Sequence, residues 1–460
     1  MADKTAIVKY LEHSGKILAS RGVMPVKLRQ QKLRDFARVL YENRYALCEA
    51  VKEDLGRDHA STLMCELQPL LDIVRFMARK LPALARGRWV RDNMATFPSL
   101  TRVYPEPYGR ALVISTWNYP LLLALEPVIG AYAAGNMVIL KLALRSSYSS
   151  AIIRKLLNKC FSDEEVLVIG NELTLDEVLQ YRYDHIFLTG NSETGKTVMR
   201  AAAANLTPVT LELGGKNPCI VNADANLKVA ARRIVWGKFL NAGQSCAAPD
   251  HLWVHRSVKA QLLNLIARYI KKFYGEHPLD DNSYCKLPDQ AAYDRVCKLI
   301  SSGRLVCGGD RDPRRLAVEP TVIDQVDVND ENLAQEMFAP VLPVFDFSSE
   351  EELLLQLRRN EKPLALYCFG GSRKFRKVLQ RATSSGALVF DDTLIHFANP
   401  AIPFGGVGKS GMGAYHGKLS FSTFSHYKPV MKKFVFPDFA LRYPPYSKLL
   451  TKLLYFFTRF

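Results

Sequence analysis

Hydrophobic positions recur every three or four residues from about Lys27 to Leu55, through Leu33, Phe36, Leu40, Leu47 and Val51, with Gly56 after the last turn. That spacing lines up one apolar face, so helices are expected to open the chain. The pattern then changes. Between Ala111 and Leu140, thirty residues carry a single charge, Glu126. Such a run has the length and polarity of a membrane span, but Pro120, Pro127, Gly130 and Gly135 interrupt it. With that punctuation, ALVIS is a buried strand, TWNYPLLL a turn, EPVIGAYAAG a helix closed by Gly135, and MVILK the next strand. A second unit of this kind runs from LVIG at 167–170 through LTLDEVLQ to HIFLTG. Alternating strands and helices predict an α/β protein with a mostly parallel sheet, whose ligands lie beyond the carboxyl ends of the strands.

Length and composition narrow this picture. At 460 residues the chain exceeds one ordinary core, and at roughly 150 residues per domain two to four domains are expected. The nine cysteines are scattered, without a C-x-x-C pair, so neither a disulfide framework nor a zinc site is indicated and no metal is expected. The N-terminal MADKTAIVKYLEHSGK has charges every few residues and no apolar signal core, which points to a cytosolic protein. A net charge of +17 would suit nucleic acid, an anionic membrane or an acidic ligand. The basic residues are dispersed, and no zinc-finger spacing or aromatic RNA-binding motif accompanies them, so nucleic acid is not expected.

Two kinds of chemistry compete in the motifs. GNSETGKT, Gly190 to Thr197, matches the phosphate-loop pattern G-x-x-x-x-G-K-[ST], follows an apolar strand and precedes a helix-compatible run. ALVFDD, Ala387 to Asp392, could supply the magnesium-binding Asp of a nucleotide hydrolase. Against that reading stand three other stretches. PVTLELGGKNP puts Glu212 at a strand end before two glycines, FLNAGQSCAAPD puts Cys246 after a Gly-containing turn, and TWNYP puts Asn118 just past a strand end. A thiol, a carboxylate and an amide donor are the parts needed for acyl chemistry at a carbonyl. Each also has an ordinary explanation: a packed cysteine, a solvated or paired carboxylate, a turn residue.

Taken in order and spacing, TWNYP, TGNSETG, LELGGK, GQSC, EMFAP and PFGGVGKSGMGAYHGKLSFSTFSH resemble the NAD(P)-dependent aldehyde dehydrogenases, most of all the class 3 branch that includes fatty aldehyde dehydrogenase. The likeness spans about residues 5 to 430. It implies a Rossmann-like cofactor domain (1–83 and 109–211), an α/β catalytic domain (212–395), a small β oligomerisation arm (84–108 and 396–430) and a tail (431–460). It also implies a homodimer and NAD or NADP as cofactor. By the same resemblance, Cys246 attacks an aldehyde carbon, Asn118 and the Cys246 N–H hold the oxyanion, and Glu212 activates the water that hydrolyses the thioester. Trp117, Lys141, Gly190, Asn191, Ser192, Glu193, Thr194, Gly195, Glu336 and Phe338 match cofactor-binding positions. The Lys and Thr after Gly195 then make the phosphate-loop pattern fortuitous.

The sequence departs from the family in three places. Lys141, Leu142, Ala143 and Leu144 stand where the family reads K-P-S-E; loss of the Glu removes an acceptor for the adenosine ribose and a charge that repels a 2′-phosphate, so relaxed or NADP-leaning cofactor choice is expected. Ala339 replaces a usual Gly, and SYCKLPDQ replaces a Gly- or Glu-Arg-Ile run. These changes leave open a protein that kept the fold and lost turnover, although the retained Cys246, Glu212, Asn118, Glu336 and Phe338 argue against it. After RYPPY the chain ends SKLLTKLLYFFTRF, with Leu449, Leu450, Leu453, Leu454, Phe456, Phe457 and Phe460 at helical spacing and Lys448, Lys452 and Arg459 opposite. Fourteen residues of helix reach only about 21 Å, too short to span a bilayer. The tail is expected either to lie on a membrane surface or to pack as an ordinary amphipathic helix. In the first case the substrate is expected to be a medium or long-chain aliphatic aldehyde.

Overall fold

The computed structural model describes residues 4–93, 95–281, 284–439 and 442–458. Helices open the chain as the spacing predicts: Val26–Glu42 and Arg44–Leu55, the second ended by Gly56 at φ +71°. The first, with Leu33, Phe36 and Leu40 fully buried, packs against the helices Gln68–Ala85 and Leu122–Ala134, and the second, with Leu47 and Val51 fully buried, against the helix Ser147–Cys160.

Six strands form the first sheet, in the order 411–412, 209–212, 185–189, 110–114, 137–141, 166–169; all neighbours are parallel except the first pair. The chain steps from Arg110–Ile114 outward to Met137–Lys141 and Val166–Ile169, then returns to the other side of the starting strand. Strand order therefore reverses beside Arg110–Ile114, and the loops after that strand and after His185–Thr189 open at the crevice so created. A second sheet of seven strands runs 304–307, 321–324, 341–347, 251–255, 218–221, 365–369, 387–390, with only Arg304–Cys307 antiparallel. The short segment Leu213–Asn217 carries the chain from one sheet to the other. A third, antiparallel sheet joins Arg88–Val90, Ser99–Pro107 and Ser425–Lys433. The protein is thus α/β, with two mostly parallel sheets and a small β element.

The thirty-residue apolar run is core. Every residue of the helix Leu122–Ala134 is buried, which is why it can do without polar side chains. Its one charge, Glu126, is bonded to His416 Nδ1 at 2.8 Å and approached by Ser420 Oγ at 3.4 Å. The helix starts four residues earlier than the sequence suggests. Its first amides, those of Leu121 and Leu122, donate to Glu66 Oε2 at 2.7 and 3.0 Å, so the cap comes from far along the chain.

Candidate active site

Asn118 lies in the loop after Arg110–Ile114 and is 2% exposed. Its side-chain N–H donates to the Gln244 carbonyl at 3.0 Å, and its own carbonyl accepts from Asn241 Nδ2 at 3.0 Å. Asn118 is thereby bound to the turn that precedes Cys246. That turn is unusual: Asn241, Ala242 and Gly243 all have positive φ, at +55°, +51° and +71°. Two consecutive non-glycine residues in the left-handed region cost free energy and persist only where surroundings hold them. At Gly243 no side chain is allowed, since a Cβ there would collide with the Ala339 carbonyl.

Cys246 follows directly. Burial pushes its thiol up to about 12, the carboxyls of Glu336 and Glu212 add to the rise, and the backbone N–H groups of Cys246 and Ala247 oppose it. The sulfur therefore feels two carboxyls and two backbone donors. Glu212 ends the strand Val209–Glu212, 3% exposed, with neither carboxyl oxygen hydrogen-bonded. Burial, then the charge of Glu126, raises its pKa well above the usual carboxyl range. A carboxyl without partners costs free energy to bury, and once it has given up its proton it is a stronger base than an ordinary glutamate toward a group bound beside it.

Glu336 sits against the Gly214 and Gly215 backbone, where a Cβ on Gly214 would meet its carboxylate. Burial and the nearby Asp250 raise it to about 8, against the pull of the Gly215 N–H, Lys238 and Arg295. Asp250 itself accepts the Met337 N–H at 2.6 Å and pairs with Lys216 at 3.1 Å, fixing the EMFAP turn. Phe338, at φ +46°, packs edge-on against Trp117 with ring centroids 5.9 Å apart. Ala339 is fully buried and lies outside the positive-φ set, so the methyl group in place of glycine's hydrogen is accommodated. The departing loop is tied in as well: Gln244 Nε2 donates to the Lys286 carbonyl at 3.1 Å and Lys286 N to the Leu55 carbonyl at 3.0 Å.

Across the crevice, Gly190 donates its N–H to the Glu212 carbonyl at 3.0 Å and Asn191 caps the helix Ser192–Ala203 by accepting the Thr194 N–H at 2.8 Å. Ser192 Oγ donates to the Lys409 carbonyl, Glu193 pairs with Lys196 at 2.7 Å, and Gly195 faces Leu213. This geometry excludes a phosphate loop. A phosphate loop wraps exposed amides around its anion before the helix begins, whereas here Ser192 to Thr197 are already helical and the Thr197 hydroxyl is bonded to the Glu193 carbonyl at 3.2 Å. The Asp residues of ALVFDD pair with arginines, Asp391 with Arg376 and Asp392 with Arg233. Lys141 is buried, and its ammonium donates to the Gly170 carbonyl at 2.6 Å. Leu142 is buried beside it, while Leu144 is 57% exposed.

Sequence reasoning missed several contributors. Asn241, Gln244 and Asp250 lie within the quoted FLNAGQSCAAPD but no spacing marks them. Arg57, Glu66 and Arg295 had no local signal. Glu126 had one, as the sole charge in an apolar run.

The aldehyde dehydrogenase family profile matches residues 1–430. The chain belongs to the aldehyde dehydrogenase family. Aldehyde dehydrogenase family 3 member A2 of Rattus norvegicus is 39% identical over 92% of this chain and 88% of its own. The dimeric NADP-preferring aldehyde dehydrogenase of the same organism is 38% identical over 91% and 93%. Among solved structures, the substrate-bound state of Staphylococcus Aureus AldH aligns with a TM-score of 0.94 at 33% identity, covering 98% of this chain and 99% of that one. This aldehyde dehydrogenase oxidises aldehydes to acids with NAD or NADP. The residues present fit such a cofactor: a strand-order reversal and a helix of twelve residues whose capped amino end opens on the crevice.

Proposed function

We propose that this enzyme acts on medium or long-chain aliphatic aldehydes through Cys246, Glu212 and Asn118. The Cys246 thiol loses its proton to solvent and the sulfur, as thiolate, bonds to the aldehyde carbon. The carbonyl oxygen takes the electron pair and is held by the second N–H of the Asn118 amide and by the Cys246 backbone N–H. Bound NAD or NADP supplies the acceptor for the hydride. As the C–H electron pair leaves with that hydride, the C–O double bond re-forms and a thioester remains on Cys246. Glu212 then takes a proton from water, the hydroxide bonds to the acyl carbon, and the C–S bond breaks to release the acid. Lys141, Trp117, Glu336, Phe338 and residues 190–195 are the groups that would hold and orient the dinucleotide. The domain division given above follows the same roles.

The observation that carries this reading is Glu212: a buried carboxyl with two unpartnered oxygens whose charge acts on Cys246, the cysteine that follows the strained turn. The preference for apolar chains is supported by the cluster flanking Cys246, in which Tyr119, Leu123, Leu240, Ala247 and Leu394 pack together with Trp236 and Phe397. A homodimer is supported by the third sheet, whose outer strand Ser425–Lys433 is exposed from His426 onward and shows Tyr427, Val430 and Met431 to solvent. Peripheral membrane contact is supported by the helix Lys448–Phe457, which has no buried residue although Leu449, Tyr455, Phe456 and Phe457 are each more than 60% exposed. Arg459 and Phe460 lie outside the described residues. Among the described residues no helix is long and apolar enough to cross a membrane.

A panel of aldehydes from short to sixteen-carbon chains, run with NAD and with NADP on wild type and Cys246→Ala, tests this reading. Rates are expected to rise with chain length and to fall by at least about 1000-fold in Cys246→Ala, as for other removed nucleophiles. A Cys246→Ala variant that still turns over within tenfold of wild type rules the mechanism out.

A further inference from the structure

Arg57 and Glu66 form an ion pair closed off from solvent, with side chains 1% and 0% exposed. Burying such a pair is expensive and gains little stability over well-packed apolar residues, so its surroundings decide what it does. The Glu66 oxygen that faces away from Arg57 accepts the Leu121 and Leu122 N–H groups at 2.7 and 3.0 Å. The Arg57 guanidinium forks: Nε reaches the Thr62 hydroxyl at 3.3 Å, Nη1 reaches the Asn118 carbonyl at 3.4 Å, and the plane lies over the Tyr119 ring at 4.9 Å. Residues 118 to 122 are thus gripped by one anion and one cation that arrive from another part of the chain. Glu66 lies in the π-helical turn Leu63–Leu67, a bulge of the kind that re-aims a side chain out of regular helix.

We propose that the Arg57 and Glu66 pair is a positioning device for Asn118, fixing the loop backbone so that the side-chain amide meets the oxyanion formed beside Cys246. Glu66 sets where the helix Leu122–Ala134 begins, and Arg57 sets where the Asn118 carbonyl lies; Asn241 locks that carbonyl from the opposite side at 3.0 Å. A lysine cannot replace the fork, because a single ammonium cannot serve the Glu66 carboxylate, the Asn118 carbonyl and the Tyr119 ring together. This inference rests on the oxyanion role assigned to Asn118 above.

A double-mutant cycle on the full-length protein separates the two. Arg57→Lys, Asn118→Ala and the double variant are compared in two assays: acylation by p-nitrophenyl acetate, which needs no hydride acceptor, and aldehyde oxidation with bound cofactor. Arg57→Lys alone is expected to lower kcat about 10- to 100-fold, the usual penalty for a misplaced catalytic group, with KM nearly unchanged. In the Asn118→Ala background the same change is expected to cost less than about twofold, since coupled residues are not additive. Equal losses in both backgrounds overturn the positioning role. A wild-type rate in Asn118→Ala instead removes the oxyanion role of Asn118, and this inference with it. If Arg57→Lys does not fold, judged by circular dichroism, Glu66→Gln takes its place in the same cycle with the same two outcomes.

Discussion

The loop after Arg110–Ile114 and the loop after His185–Thr189 leave neighbouring strands of one sheet and open on one crevice, yet they are held in opposite ways. The first, carrying Asn118, is fixed by Arg57, Glu66, Asn241 and Gln244, partners 55 to 126 residues away in the chain. The second, carrying Gly190 to Gly195, is fixed largely by itself: Asn191 caps Thr194 three residues on, and Glu193 pairs with Lys196. By the roles proposed above, the first loop serves the sulfur and the second the cofactor. Geometry that must be correct to a fraction of an ångström is built from distant, buried, charged contacts, whereas a helix amino end offers an anion its amides with no outside help.

The largest effect should therefore fall on the sulfur side. Glu212→Gln is expected to lower kcat by about 100- to 10,000-fold, the range for loss of a general base, while the first turnover still releases reduced cofactor as a burst at 340 nm. Loss of the burst together with kcat would show that Glu212 acts before the thioester forms. The pH dependence has a definite sign. Burial, then the charge of Glu126, holds the Glu212 proton well above the ordinary glutamate range, so Glu212 is an effective base only as pH rises through that elevated value, and thioester hydrolysis should accelerate with it. The folded protein meanwhile keeps a proton that the unfolded chain has lost, so stability falls as pH rises from about 4.5, the ordinary glutamate value, up to the elevated one. Glu212→Gln should flatten both trends.

That division also explains what could be read from the sequence. The strands and helices of the first sheet were legible because buried runs such as HIFLT and MVILK end in glycine or polar residues, which is local information. The Gly190 to Gly195 stretch was legible for the same reason, although the Lys and Thr that follow imitate a phosphate loop; the resemblance set that pattern aside, and the helix starting at Ser192 agrees. Cys246, Glu212 and Asn118 could be picked out only by resemblance; spacing alone gave each an ordinary explanation. The start of the helix at Leu122 was misjudged, because its cap is a carboxylate 55 residues upstream. The same holds for Asp250 and Arg295, which brace the EMFAP turn from other elements. Contacts across the chain leave no period in it.

On the cofactor side, changes should be graded. Leu144 is exposed where a glutamate would accept from the adenosine ribose, and an added acceptor for such a hydroxyl is worth about 1 to 3 kcal/mol. Leu144→Glu is expected to raise the NAD-over-NADP ratio of kcat/KM by about tenfold or more, in line with that range, leaving kcat with saturating NAD nearly unchanged. A strong preference for NAD in wild type and variant alike would show that Leu144 does not set cofactor choice. Asn191→Ala should do less still. It removes a helix cap, for about 1 kcal/mol of stability, and should lower the melting temperature by a few degrees with kcat within about twofold. A hundredfold loss of kcat there would mean that this loop, too, is part of the chemical machinery, and the contrast between the two loops would collapse.

The tail extends the contrast to its limit, because none of the described residues of its helix is buried. Ser447 caps it by accepting the Leu450 N–H at 3.1 Å, so it is a formed helix in which Leu449, Leu453, Leu454, Phe456 and Phe457 are exposed and Leu450 is half-buried. A large exposed apolar stripe is unfavourable in water and favourable at a lipid interface, where basic neighbours such as Lys448 and Lys452 reach anionic headgroups. Deleting residues 447–460 is expected to leave kcat/KM for a short soluble aldehyde within about twofold, since none of the residues placed at the site lies in the tail. Co-sedimentation with vesicles containing phosphatidylserine should be lost. Retained co-sedimentation would transfer the lipid contact to the exposed residues before the tail, such as Val435 and Phe436; a loss of kcat as large as that of Glu212→Gln would mean that the stripe packs on the active site in solution.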